Sequence, residues 1–232
     1  VSGIKCSVRD WAVWMPVSDD SNSNSHQVSA PSLGLIPAMM RRRLGQQGKM
    51  AVSVCSALIE KQPQLPMVFC SRHGEIQRSL EILTTLIDGE TPSPMAFSLS
   101  VHNAVSGILS IATHNTHAIT AMAAGEHAIV NALTEACMIL HANDHDAVLC
   151  VIHDLPLPEL YDDAGIDPAE PYAIALLLEQ AGDCPISIDF EHKQNTQPGM
   201  LEQVAMLAEL LHGNTEQVPL AAAQITRLPV TP

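Results

Sequence analysis

Two rhythms of apolar residues alternate along this chain. Residues 66–71, 118–121 and 147–152 are short apolar runs without polar alternation, the pattern of strands buried on both faces of a sheet. Residues 4–15, which include both tryptophans, predict a first strand. Between the strands the spacing becomes helical. Met39, Met40, Leu44, Met50, Val54 and Leu58 mark a helix over 37–59, broken near Gly45 and Gly48. Ile76, Leu80, Leu83 and Ile87 share one face of a helix over 75–87 that Gly89 ends. Further helices are predicted over 100–112, with Gly107 allowing close backbone approach, and over 126–141 and 199–211. Loops are expected at the Ser/Asn/Asp-rich segment 19–32, at Pro92 and Pro94, along the acidic stretch from Pro156 to Pro171, and in a Pro-rich tail. Residues 172–179 and 184–190, linked through Ala181, Gly182 and Asp183, read as a hairpin. The alternation predicts an α/β fold, with helices layered on a mixed, mostly parallel, five-stranded sheet.

The most informative stretch is Ile119 to Gly125, where an apolar strand turns through small residues into a helix. That geometry lifts a side chain above a sheet and aims helix-dipole charge at it, as nucleophile turns do. The residue at the tip is Met122, whose thioether has no proton to lose and forms no acyl-enzyme. The turn reads as an active-site turn from which the chemistry has been removed.

Composition narrows the class. At 232 residues with 47% apolar content the chain reads as a single domain over 1–232, its core filled by aliphatic residues and Met because aromatics make up only 3%. With no leader-like segment and no apolar run of bilayer length, a soluble cytoplasmic protein is expected. The six cysteines, at 6, 55, 70, 137, 150 and 184, show no CxxC spacing and read as buried reduced thiols. The formal charge is −14, and between Arg78 and Lys193 there is no Lys or Arg, while 17 of the 25 acids fall there. Such a surface does not recruit nucleic acid. Arg41, Arg42 and Arg43 are the exception, as a solvated helix start or an anion or partner contact.

Phe97, Asn103, Gly107 and Ile111, followed by Thr120, Ala121, Gly125 and His127, resemble the matching segments of β-ketoacyl synthases of the thiolase fold. In catalytic members a nucleophilic Cys stands where this chain has Met122. Ser71 to Glu75, and Phe97 to Asn103, resemble more specifically the short ketosynthase-like chain length factors that accompany ketosynthases in bacterial aryl polyene clusters. The resemblance covers roughly residues 30 to 180 and implies half of a thiolase-type architecture. It also implies that the second half, with its two catalytic His residues, is not part of this sequence; His192 and His212 lie in no matching context.

The resemblance further implies a non-catalytic subunit paired with a catalytic ketosynthase. The strand at Ala118, Ile119, Thr120 and Ala121, with Met122, would pair edge to edge across a two-fold axis. Leu99, Ser100, Val101, His102 and Asn103 would join it at the acyl tunnel and partner interface and limit chain extension by bulk. The substrate implied is a polyene acyl chain on an acyl carrier protein, met only indirectly, since an acidic carrier is not steered to an acidic chain.

His141 and His145 have i,i+4 spacing, with His114 and His117 as further candidates, yet neither pair carries a zinc-protease Glu, and no metal or cofactor is expected. Cys137 and Cys150 read as core thiols rather than substitute nucleophiles. The alternatives are an autonomous acyl hydrolase or transferase on the same scaffold, and a self-pairing scaffold without a ketosynthase.

Overall fold

The structure, a computed structural model, describes residues 3–16, 26–28, 32–142, 145–164, 170–190, 198–220 and 223–230. Its strands are β1 (Ile4–Trp14), β2 (Met67–Cys70), β3 (Ile119–Met122), β4 (Val148–Asp154), β5 (Tyr172–Glu179), β6 (Pro185–Asp189), β7 (Gln217–Pro219) and β8 (Gln224–Arg227). The helices are α1 (Ala38–Arg41), α2 (Gln46–Ile59), α3 (Ile76–Ile87), α4 (Pro94–Ser98), α5 (Ala104–Thr113), α6 (Ala128–Ala142) and α7 (Met200–His212).

The strands form one sheet in the order β3-β2-β4-β5-β1-β6-β8-β7. It is mixed α/β as expected, but it has eight strands rather than five. Parallel pairing is confined to β3-β2-β4; every other neighbouring pair is antiparallel. The segment read as a Pro-rich tail supplies β7 and β8.

The predicted hairpin does not form. β5 and β6 both pair antiparallel with β1, on its opposite edges, so they run parallel to each other. The Ala-Gly-Asp link imitates a hairpin turn, but it carries the chain across β1 at Ser7, whose Oγ accepts from the Cys184 N–H at 3.2 Å. A strand from the start of the chain separates two neighbours in sequence, which local pattern does not encode.

Both faces of the sheet are covered, so β2, residues 148–152 of β4 and residues 172–178 of β5 are apolar at every position. On β4, Val148, Cys150 and Ile152 face the core beneath α6 and α7, while Leu149 and Val151 face the core beneath α2 and α5. On β5, Tyr172, Ile174, Leu176 and Leu178 fill the first core; Ala173 and Ala175 give α2 a close seat in the second. Most of α2 is buried, Gly48 included, so the predicted helix runs on through Gly48 and breaks only over 42–45.

Several local expectations shift. The Pro92–Pro94 loop contains α4, with Ser93 Oγ accepting from the Ala96 N–H at 3.1 Å and Pro94 at the first helical position. The following helix begins at Ala104 rather than at 100, and no other part of the described chain approaches a side chain at Gly107. β3 is half-buried rather than buried because it sits at the sheet edge. The helix predicted over 75–87 forms as α3 with its amphipathic face intact, yet none of the residues of α3 is buried. Most of the predicted loop 19–32, and part of the acidic loop before Pro171, lie outside the described residues. Among the described residues no helix is long and apolar enough to cross a membrane.

Candidate functional site

The strand–turn–helix read from the sequence is present. β3 ends at Met122, Ala123 and Ala124 follow, and a 3-10 turn at Gly125–His127 leads into α6. Gly125 adopts φ of 52°, a conformation that side chains with a Cβ resist. Met122 is half-buried, stands opposite Cys70 of β2, and packs against the core beneath α6. Its carbonyl accepts two hydrogen bonds, from the Ser71 N–H at 3.2 Å and from His102 Nε2 at 2.9 Å. A carbonyl only accepts, so Nε2 of His102 carries the donated proton. That ring lies over Gly74, where an added Cβ would come within 2.5 Å of Nδ1. Gly74 also has φ of 58°, two independent reasons for glycine there.

Behind the turn lies a buried polar web at the carboxyl ends of β2 and β4. Ser71 Oγ donates to Asp154 Oδ1 at 3.1 Å and accepts from Gln47 Nε2 at 3.0 Å and from the Gly74 N–H at 2.8 Å. The Arg72 N–H donates to Asp154 Oδ2 at 2.7 Å. Gln47 Nε2 also reaches His153 Nδ1 at 3.1 Å, which makes that nitrogen an acceptor. Burial, and then the nearby His102, push the His153 pKa down to about 3, so the ring is neutral, in agreement with the hydrogen bond. Burial raises the Asp154 pKa, opposed by the bonds from Arg72 and Ser71 and by the charges of His73 and Arg72. Arg72 Nε and His73 Nε2 are buried without a hydrogen-bond partner among the described residues.

This web positions; it does not attack. Ser71 is buried, and its hydroxyl is engaged on every side. Cys70, beside Met122, has its thiol pushed up to about 12, chiefly by burial, and Cys150 is pushed well up for the same reason. Cys137 lies buried in α6. Among the described residues no group of three His, Cys, Asp or Glu could hold a metal ion. His141 Nε2 bonds the Lys5 carbonyl at 2.8 Å instead of facing His145, whose ring meets His117 edge-on at 5.8 Å. Asn143 and His192 lie outside the described residues.

The other sequence-predicted residues spread around the turn. Of the segment Leu99 to Asn103, His102 meets Met122 directly. Ser100 Oγ donates to the Phe97 carbonyl, Val101 is exposed, and Asn103 begins α5 with its carbonyl accepting from the Gly107 N–H and Ser106 Oγ. Leu99 lines a groove of about 430 Å³ with Met39, Met95, Arg42, Arg43 and Arg78, and Met122 is not part of it. Arg41 points elsewhere, onto the Ile36 carbonyl at 2.6 Å.

On β3, the carbonyls of Ala118 and Met122 accept from the N–H groups of Met67 and Ser71 on the β2 side. Backbone groups alternate sides along a strand, so those of Ile119 and Ala121 face the open edge. Sequence reasoning missed Gln47, His153 and Asp154. The available signal was polar residues closing an apolar run, as His153 and Asp154 close β4.

The model of the beta-ketoacyl synthase N-terminal domain matches residues 11–224. No curated protein matches the chain. A chain in the structure described as the ketosynthase ApeO in complex with its chain length factor ApeC, from Xenorhabdus doucetiae, superposes with a TM-score of 0.77 at 26% identity, over 97% of this chain and 99% of that one. The ishigamide ketosynthase/chain length factor gives 0.56 at 12% identity, over 78% of this chain and 57% of that one. AntDE:AntF, a type II polyketide acyl-carrier protein in complex with its ketosynthase, gives 0.59 at 11% identity, over 82% of this chain and 70% of that one. This chain therefore spans nearly all of the first neighbour and little more than half of the second, and the last two likenesses speak for the thiolase-like fold alone. The chain belongs to the beta-ketoacyl synthase N-terminal domain family.

Proposed function

We propose that this chain is a non-catalytic chain length factor: a single ketosynthase-like domain that pairs with a catalytic β-ketoacyl synthase and shapes its acyl tunnel. The observation that carries the reading is Met122 at the tip of the strand–turn–helix, the position at which the resemblance read from the sequence puts a condensing enzyme's thiol. Decarboxylative condensation needs an acyl-holding thiolate, and a thioether removes that covalent step outright. The nearest thiol, Cys70, is buried and held in its protonated form, so it does not substitute.

The open edge at Ile119 and Ala121 supports pairing through β3, because an apolar edge strand left bare invites aggregation. The first structural neighbour, which this chain matches along nearly its full length, comes from a complex of a ketosynthase with its chain length factor. In this reading Leu99 to Asn103, Thr120 and Met122 line the far end of the tunnel and the partner interface, and their bulk limits extension of a polyene-type acyl chain. The carrier protein docks mainly on the catalytic subunit, because this chain carries a net charge of −14 and carriers of this class are acidic. Both subunits work in the cytoplasm.

The direct test is Met122→Cys. Restoring the thiol alone leaves the purified chain inactive in condensation, because the bases and the remainder of the tunnel belong to the partner. Product formation by that variant on its own contradicts the proposal.

A further inference from the structure

Among the described residues three buried side-chain polar atoms have no hydrogen-bond partner: Arg72 Nε, His73 Nε2 and the Tyr172 hydroxyl. They gather around one carboxylate. Tyr172 stands opposite Asp154 in the β4–β5 register, and the Arg72 N–H donates to Asp154 Oδ2 at 2.7 Å. Burial is the main influence on both Asp154 and Tyr172; beyond it, the charges of His73 and Arg72 act on the carboxyl, and those of Asp154 and Arg72 act on the phenol. Asp154 nevertheless bonds neither the phenol nor the guanidinium, because its oxygens are turned to the Ser71 hydroxyl and the Arg72 backbone. Ion pairs among the described residues join Arg9 to Glu179, His26 to Asp10 and Arg78 to Glu75, and Arg72 is in none of them. Tyr172 is fully buried while Arg72 and His73 are half-buried, so the cluster reaches from the core to the surface.

A buried donor without a partner forfeits the hydrogen bond it had to water, and a half-buried cation without a counter-ion adds to that cost. The three orphans share one chemistry. Arg72 Nε only donates, the phenol donates, and His73 Nε2 donates when it carries the proton. A cationic ligand is repelled by Arg72, and a water molecule leaves the guanidinium charge unanswered. A tetrahedral oxyanion offers an acceptor to each of the three donors and a charge to the guanidinium. The place favours a ligand too, since ligands of α/β sheets collect beyond the carboxyl ends of parallel strands, and β2 and β4 end here at Cys70 and Asp154. We propose that Arg72, His73 and Tyr172 form a seat for a phosphate-like oxyanion, free or at the end of a larger molecule. The seat adjoins the turn, because Ser71, the neighbour of Arg72, holds the Met122 carbonyl. It stands whether or not the chain pairs with a ketosynthase.

Thermal unfolding of the full chain is followed against inorganic phosphate and against glycerol phosphate, with chloride at matched ionic strength as the reference. The expected midpoint climbs with phosphate and not with chloride. Arg72→Gln and Tyr172→Phe each weaken the apparent affinity by about tenfold or more. In chloride alone Tyr172→Phe is at least as stable as the unmodified chain, because it deletes a hydroxyl that has no partner, and phosphate reverses that order. A merely structural hydroxyl gives the opposite: Tyr172→Phe then loses stability in chloride, which overturns the proposal. So does a phosphate response that both variants keep, or one that disappears instead with Arg42→Gln and Arg43→Gln at the groove beside Leu99. Glycerol phosphate bound as tightly as inorganic phosphate assigns the seat to the head of a larger molecule, and inorganic phosphate bound alone assigns it to the free ion. Binding of neither overturns the proposal.

Discussion

The sheet ends differently on its two sides. β7 closes one side with three residues, buries Val218 fully, ends at Pro219 and lies against α7. A short strand ending in a residue without an N–H is a protected edge. β3 closes the other side with Ile119 and Ala121 facing outward, half-buried along its length, and with exposed Ile111 and Met138 on the neighbouring α5 and α6. One edge is finished by the chain itself; the other has the character of half an interface. The same contrast separates the helices, since α7 buries seven of its thirteen residues and α3 buries none despite an equally clear apolar face.

The largest expected effect breaks that contrast at β3. Ala121→Pro weakens association with a co-expressed ketosynthase by about 100-fold or more, because it removes an edge donor at the pairing register. Gln217→Lys on the β7 edge leaves association unchanged. Pull-down and isothermal titration of both variants read the difference.

The next effect concerns what holds the bare edge in place. Asp154→Ala strips the buried Ser71 hydroxyl and the Arg72 N–H of their acceptor. Loss of that carboxylate destabilises the fold by about 3 kcal/mol in urea unfolding. Hydrogen exchange accelerates at β2 and β3 and not at β7.

A smaller effect follows from pH. His153 has a folded pKa of about 3 against an ordinary 6.5, so below pH 6.5 the unfolded chain binds a proton that the folded chain refuses. Its contribution to stability is complete above pH 6.5 and is lost as pH falls, by about 3 kcal/mol down to about pH 4.5. Asp154 and Glu75 are shifted upward, mainly by burial, so they protonate first in the folded state and blunt the loss at the acid end. Chemical denaturation across pH, compared with His153→Gln, isolates the histidine; a flat profile for the unmodified chain counts against a neutral buried ring.

The smallest effect is Gly74→Ala, which sets a Cβ against His102 in a left-handed conformation. It costs about 2 kcal/mol, and adding His102→Ala recovers the steric part only. Thermal unfolding of the single and double variants measures the split.

How legible this was from sequence depends on the range of the interaction. The fully apolar runs of β2, β4 and β5 and the helical spacing of α3, α6 and α7 announce themselves, because burial on two faces or one stripe writes a local pattern. The crossing of β5 and β6 around β1 does not, since the Gly182 link obeys hairpin chemistry while the pairing is decided by residues 4–14. Met122 and His102 were both visible as site residues, the first from the turn and the second from the family-like segment. The hydrogen bond between them was not, and neither was the web of Gln47, Ser71, His153 and Asp154. Those four come from three separate places in the chain: the parallel register of β2 with β4 sets Ser71 beside His153 and Asp154, and α2 packed on β4 adds Gln47.

The most direct measurement is native mass spectrometry of this chain produced alone and together with a catalytic ketosynthase, followed by incubation with carrier-bound acyl substrate. The expected result is a one-to-one heterodimer in which the acyl group is found on the ketosynthase and never on this chain. A stable solitary chain that takes up the acyl group and extends it unaided would contradict a scaffolding role for the Met122 turn.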